Sequence, residues 1–113
     1  MKRLALCILF AGIIAAAQPV HTAVLTWLDA LNPSGSTYNV YRAPGQCTGT
    51  PAPAFVQLKT GVAVLTYVDS TITAGAYCYA VTATVAGSES PQSNLAVAAV
   101  LPYAPTGLTV IVK

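Results

Sequence analysis

Charged residues are scarce in this sequence of 113 residues: they make up 7 %, with three acidic side chains and one histidine. So few charges, beside 55 % hydrophobic residues, exclude a disordered polyelectrolyte. The length excludes a large multidomain enzyme, because one domain takes roughly 100–200 residues. Two of the five basic residues, Lys2 and Arg3, lie at the N terminus, and without them three basic residues balance three acidic ones. We therefore expect no nucleic-acid partner, because the remaining chain has no net field to hold one.

The N terminus has the pattern of a secretory signal peptide over residues 1–17. Two basic residues precede an apolar run from Leu4 to Ile14, and Ala15 to Ala17 supply the small residues needed for cleavage before Gln18. An uncleaved anchor is the alternative, but the run is shorter than the roughly 20 residues that span a bilayer. We predict a secreted protein, extracellular or periplasmic, with no membrane contact after cleavage.

The cysteine count changes with export. Cys7 leaves with the leader, so Cys47 and Cys78 remain, and an even pair in an exported chain indicates a disulfide. Two unpaired thiols are the alternative. A zinc site is disfavoured, because two cysteines and the lone His21 are too few ligands.

The remainder of the sequence reads as short antiparallel strands without helices. Apolar residues alternate with a period of two, and Gly, Pro, Ser and Asn clusters divide the runs. The predicted strands cover residues 23–27, 37–42, 55–58, 64–68, 77–85 and 95–101. Gly61 is predicted to break the third, and Asp69 to Gly75 to form a polar corner.

Six strands at spacings of about ten residues favour an all-β sandwich of two antiparallel sheets. Each strand would bury alternate side chains against the opposite sheet. The predicted core consists of Trp27, Tyr38, Val40, Leu65, Tyr67, Tyr77, Tyr79 and Val81.

Six segments in this order carry a family resemblance, which covers roughly residues 20–102. They are Val24 to Trp27, Tyr38 to Arg42, Phe55 to Leu58, Thr66 to Asp69, Gly75 to Val81 and Gly87 to Asn94. The sequence resembles a fibronectin type III domain of bacterial exported proteins, with these segments as strands B, C, C′, E and F and the FG loop. The resemblance implies an immunoglobulin-like antiparallel β-sandwich over residues 18–102. It also implies that a Cys47–Cys78 bridge would staple the rim of one sheet instead of crossing the core.

The resemblance fails at strand A, for which the predicted mature chain offers only Gln18 to Thr22. Conversely, the tail over residues 103–113 resembles strand A of a following domain. Three explanations are open: the chain is a fragment of a longer repeat protein, the tail folds onto its own domain or stays loose, or the tail fills the empty slot of another molecule. The third would give weak head-to-tail self-association, since an unpaired strand edge is a template for strand addition.

Residues for catalysis are sparse. No nucleophile and base are paired, and His21 lies near the predicted mature N terminus, so we expect no enzyme, no cofactor and no metal. Asp29, Asp69 and Glu89 are predicted to be solvated loop carboxylates or turn caps. A weak calcium site from Asp29, Asn32 and Glu89 is a minor alternative.

A sheet surface is the better candidate for binding. Tyr41, Val56, Ala80 and Thr82 are predicted to lie outward on one sheet with few charges nearby, which suits contact with a protein or a carbohydrate. Ordinary scattered surface residues are the alternative. The leading expectation is a non-catalytic adhesion, interaction or spacer module. The alternatives are an accessory fragment of a secreted polysaccharide-degrading enzyme and a structural subunit that assembles by strand exchange.

Overall fold

The computed structural model describes residues 20–113, in which seven β-strands and no helix occur. The predicted signal peptide lies outside the described residues. The strands are β1 (His21–Thr26), β2 (Thr37–Pro44), β3 (Val56–Val62), β4 (Thr66–Ile72), β5 (Gly75–Val85), β6 (Ser88–Glu89) and β7 (Ala96–Val100). No helix in this part of the chain is long and apolar enough to cross a membrane. The all-β prediction is confirmed.

The strands form two antiparallel sheets. β1 pairs with β4 in a two-stranded sheet, and β3, β2 and β5 follow one another in a five-stranded sheet. β6 and β7 both pair with β5, which makes β5 the central strand of the larger sheet. The two sheets pack against each other through one apolar cluster, which is consistent with the predicted β-sandwich.

Two serines bridge the gap between β6 and β7 along the edge of β5. The backbone N–H groups of Ser90 and Ser93 donate to the carbonyls of Ala83 and Val81, both at 2.8 Å. In return, the Ser90 and Ser93 hydroxyls accept from the Ala83 and Val81 N–H groups at 2.9 and 3.0 Å. Pro91 lies between the serines and has no N–H for a regular ladder. Hydroxyls thus satisfy strand donors where backbone pairing is interrupted.

The core lies between the sheets and follows the predicted alternation with one exception. Its buried members are Tyr38, Val40, Val62, Tyr79 and Ala83, and partly buried side chains of β1, β4 and β7 pack on them. Trp27, Tyr67, Tyr77 and Val81 belong to the same cluster, as predicted. Leu65 was wrongly assigned, because it precedes β4 and is 41 % exposed.

The strand β4 continues past its predicted end and supplies a core residue that the sequence analysis missed. Residues 69–75 were predicted to be a polar corner, but β4 runs to Ile72, which is 1 % exposed. A strand is recognised in a sequence by alternating apolar residues, and this part of β4 contains three polar residues in a row, Asp69, Ser70 and Thr71. The sequence analysis therefore ended the strand too early.

Replacing Ile72 and Leu65 by valine tests the corrected core. Ile72→Val should lower the free energy of unfolding by about 1 kcal/mol, because it removes a buried methylene. Leu65→Val should change it by less than about 0.5 kcal/mol, as expected of an exposed site. Urea unfolding followed by Trp27 fluorescence measures both, and a larger loss for Leu65→Val would contradict this core.

Gly61 does not break β3. The strand runs through it to Val62, and Gly61 has a φ of +71°, which glycine adopts without steric cost. The register steps from Tyr38 opposite Val62 to Val40 opposite Lys59, so β3 carries one extra residue there. This extra residue forms a β-bulge. Gly61, which the sequence analysis took as the end of the strand, is the residue that permits the bulge.

Candidate functional site

The predicted binding face on the five-stranded sheet is more buried than expected. Ala80 and Thr82 are only 1 % and 5 % exposed, so the prediction that they form an open surface was wrong. Tyr41 pairs directly with Ala80 and shares its face. The methyl group of Ala80 lies between larger neighbours on the same strand, Cys78 with its disulfide and Thr82. Tyr41 itself is half-buried.

Val56 lies on the opposite face from Tyr41. It is exposed, but it pairs with Arg42, whereas Tyr41 pairs with Gln57. Directly paired residues share a face, so Val56 belongs to the side that faces the smaller sheet. The bulged register of β3 reverses the assignment made from simple alternation. The four residues therefore do not form one apolar patch.

A hydrogen-bond network around Glu89 covers this face. The Ala86-Gly87 turn, with φ values of +49° and +83°, places Glu89 opposite Thr84 on β5. The hydroxyls of Tyr41 and Thr82 donate to Glu89 Oε2, with 2.5 Å for Thr82. These bonds hold the pKa of Glu89 below its usual value, with Thr82 as the largest cause. The hydrogen bond to Glu89 likewise raises the pKa of Tyr41.

Asn39 extends the same network across three strands. Its Nδ2 donates to the Thr82 and Thr84 hydroxyls at 3.0 and 2.9 Å, and its Oδ1 accepts from Thr60 at 2.6 Å. Each of these polar groups has a partner within the chain. The face is therefore an internally satisfied network with one carboxylate, Glu89, in it.

A second charged cluster is buried between the sheets at Asp69. This residue is 1 % exposed and lies within β4, so the prediction that it is a solvated loop carboxylate was wrong. Its Oδ2 accepts from Arg42 Nη1 at 2.8 Å and from the Tyr79 hydroxyl at 2.7 Å. Its Oδ1 accepts from the Thr71 hydroxyl and backbone N–H at 2.7 and 3.1 Å. Arg42 thus links the larger sheet to the smaller one.

The Asp69 cluster is built to keep its carboxylate ionised. Burial alone would raise the pKa of Asp69, but the hydrogen bonds from Tyr79, Thr71 and Arg42 outweigh burial and lower it. Burial and then Asp69 raise the pKa of Tyr79 far above its usual value, so its hydroxyl stays protonated. An acceptor that is charged at neutral pH and a donor that is protonated there are suited to holding the sheets together.

Stability should fall in acid as these carboxylates protonate. The pKa values of Asp29, Asp69 and Glu89 are all lowered in the folded chain. A carboxyl with a lowered folded pKa contributes stability that is complete above its unfolded pKa of about 4 and is lost as the pH falls through its folded value. Urea unfolding at pH values from neutrality to about 2 should show this decline. A constant free energy of unfolding below pH 4 would contradict it.

Asp29 follows its prediction as a turn cap. Its Oδ1 accepts from the Asn32 backbone N–H at 3.2 Å, and Asn32 Nδ2 donates to its two oxygens at 3.0 and 2.9 Å. The Tyr38 hydroxyl donates to Oδ2 at 2.8 Å. Asp29 and Glu89 therefore bond to different neighbours. Among residues 20–113 no group of three or more His, Cys, Asp or Glu residues could hold a metal ion.

The predicted disulfide is present between Cys47 and Cys78, with Cα atoms 5.1 Å apart. Cys78 lies on β5 opposite Ala43 of β2, and Cys47 follows the end of β2 at Pro44. The bridge therefore fastens the loop after β2 to the outer face of the same sheet and does not cross to the other sheet. This is the placement that the resemblance implied.

An open groove, which the sequence analysis did not locate, runs beside β1. It has a volume of about 290 Å³, and one side is β1 with Trp27, while β5 and the segment from Ser93 to Ala98 form the other. Ala23, Leu25 and Trp27 share its inner face and pack partly on the core. Among residues 20–113, β1 pairs only with β4, so its other edge has no strand beside it. In the sequence, this edge was signalled only by the short segment from Gln18 to Thr22, which is all that the resemblance offered for strand A.

Trp27 lines this groove, and its side chain has a hydrogen-bond donor without a partner among the described residues. Its ring packs edge-on against Tyr38 with centroids 5.5 Å apart, and its backbone N–H donates to the Leu65 carbonyl at 3.1 Å. The indole Nε1 is buried, yet it has no hydrogen-bond partner in the part of the chain that the structure describes. A buried donor without an acceptor costs free energy.

The C-terminal tail carries the largest run of exposed apolar side chains. No residue after Val100 lies in a strand, and residues 101–113 are all exposed. Four large apolar side chains are at least 78 % exposed: Leu108, Val110, Ile111 and Val112. Tyr103 stacks on His21 with ring centroids 4.5 Å apart, which places the start of the tail beside the start of β1.

A scan against protein-family models and a search of curated proteins found no match for this chain. Its functional assignment therefore rests on its own topology and surfaces.

Proposed function

We propose that the chain is a non-catalytic, exported module of the fibronectin type III kind that works through protein contacts. The order of strands carries the proposal. In that family the two sheets contain strands A, B and E and strands C′, C, F and G. Here β1 and β4 stand where B and E would, and β3, β2 and β5 stand where C′, C and F would. β6 and β7 together occupy the position of a divided strand G.

A local feature at the start of β5 supports the same family. The hydroxyl of Tyr77 accepts from the Thr73 backbone N–H at 3.3 Å, four residues upstream. A tyrosine at the corner between strands E and F that bonds back to the upstream backbone is typical of immunoglobulin-like sandwiches. The Arg42 guanidinium lies over the Tyr77 ring, 5.2 Å from its centroid, and this cation–π contact helps to hold the ring in place.

Export is supported by the disulfide and by the leader pattern. Disulfides persist in oxidising compartments such as the periplasm and the extracellular space. Lys2, Arg3 and the apolar run after them match a secretory leader that ends at residue 17. Expression in a bacterial host should release a product whose N terminus, read by mass spectrometry, is Gln18.

Protein contact is favoured over carbohydrate binding by the kind of surface exposed. Sixteen large apolar side chains are exposed in residues 20–113, and only Tyr103 among them is aromatic. A sugar ring usually needs a flat aromatic platform, whereas aliphatic grooves and strand edges suit polypeptide. The exposed surface is therefore suited to a spacer or interaction module.

The proposed function is tested with the purified chain of residues 18–113. Circular dichroism should report β-structure, and incubation with soluble polysaccharides and chromogenic glycosides should give neither product nor binding. Turnover of a substrate, or saturable binding to a polysaccharide, would overturn the proposal in favour of an accessory carbohydrate-active fragment.

A further inference from the structure

The unpaired edge of β1 and the exposed C-terminal tail complement each other. Building on the proposed function, we propose that residues 108–113 of one molecule dock as a strand along β1 of a second copy of this chain. The tail would run antiparallel to β1 and fill the groove beside Trp27. Leu108 to Lys113 comprises six residues, the same length as β1.

The edge of β1 differs from the edge of β3 in its protection against strand addition. β3 carries Lys59 and two register irregularities, and both devices discourage strand addition. β1 has no Lys, Arg, Asp or Glu, and the apolar groove adjoins it. A strand that added here would gain backbone hydrogen bonds and bury aliphatic surface at once.

The tail has the alternation that such a strand requires. Leu108, Val110 and Val112 lie on one face of an extended segment, with Thr109 and Ile111 on the other. In an antiparallel register Leu108 would lie near Trp27, and Val112 near Ala23 at the other end of the groove.

The arrangement of the tail favours a second copy over the molecule's own groove. Tyr103 stacks on His21 at the beginning of β1, yet residues 101–113 are all exposed and lie in no strand. The tail therefore does not occupy the groove of its own molecule, and its aliphatic side chains are available to the groove of another.

This contact is heterologous, because the tail of each molecule uses the groove of the next. Such contacts grow open chains unless a rotation closes them into a ring. The proposal therefore predicts concentration-dependent head-to-tail oligomers of the mature chain.

Sedimentation velocity of residues 18–113 and of a version ending at Pro102 tests the proposal. The full chain should form oligomers as its concentration rises, and the shortened chain should stay monomeric. A peptide of residues 103–113 should bind the shortened chain and change its Trp27 fluorescence. Val110→Asp should reduce peptide affinity at least tenfold, whereas Thr109→Asp, which adds the same charge on the opposite face, should retain it within about threefold, as an exposed site does.

A full chain that stays monomeric at every concentration, with no peptide binding to the shortened chain, would overturn strand exchange. Peptide binding to the shortened chain combined with a strictly monomeric full chain would also overturn it, because the tail would then occupy its own groove. Circular dichroism of each variant confirms that it is folded. None of these outcomes affects the proposed non-catalytic function, which fails only through substrate turnover or polysaccharide binding.

Discussion

Replacing Asp69 by asparagine should lower the free energy of unfolding by about 2–3 kcal/mol, because it removes the buried carboxylate to which Tyr79 and the 27 % exposed Arg42 donate. Asparagine has nearly the same shape, but its neutral side chain has one acceptor oxygen and one NH2 group where aspartate has two acceptor oxygens. It therefore accepts fewer of the hydrogen bonds that Arg42 and Tyr79 donate. Those two groups would lose a charged acceptor at 2.8 and 2.7 Å. For a domain whose total stability is about 5–15 kcal/mol, this loss is large. Urea unfolding at neutral pH measures it.

Asp29→Asn is the matched control for this substitution. It makes the same chemical change at a loop carboxylate that water can reach, so its effect should be far smaller than that of Asp69→Asn. Equal losses for the two variants would mean that the Asp69 cluster does not hold the sheets together. Replacing Arg42 and Asp69 together by methionine and leucine should recover part of the loss, since no charge is then buried alone.

Removing the disulfide should have the second large effect. The Cys47→Ala, Cys78→Ala double variant opens a loop with a sequence separation of 31 residues. On the chain-entropy model this costs about 3–4 kcal/mol of unfolding free energy. For a domain of this size the melting temperature should fall by about 15–30 °C. Differential scanning calorimetry measures the shift.

Reducing agent provides the internal control for the disulfide. It should lower the melting temperature of the native chain toward that of the double variant and leave the double variant itself unchanged. A native chain that melts at the same temperature with and without reductant would contradict a stabilising bridge.

The sequence was sufficient to predict the large sheet, because its strands carry a clear period of two. The alternation from Tyr77 to Val85 predicted the central strand β5, and Tyr38 and Val40 were correctly placed in the core. The cysteine pair followed from counting alone. These features depend on local patterns, which a sequence displays directly.

The features that failed depend on partners distant in the chain. Asp69 reads as a loop carboxylate because its partners, Arg42 and Tyr79, are 27 and 10 residues away. Ala80 and Thr82 alternate as outward residues, yet neighbours on their own sheet bury them. Val56 changed face because bulges in β3 shift the register, and a register shift of one residue moves a side chain to the other face.

The titration of the Asp69 carboxyl tests most directly the central structural claim, that the buried Asp69 cluster holds the two sheets together, as the proposed non-catalytic function requires. Carbon-detected NMR of the folded chain should give Asp69 a pKa below the ordinary value of about 3.9, with the carboxylate ionised until acid unfolding begins. A general acid in an enzyme needs the opposite shift, toward neutral pH. A pKa near 6 or 7 in the folded protein would contradict the account.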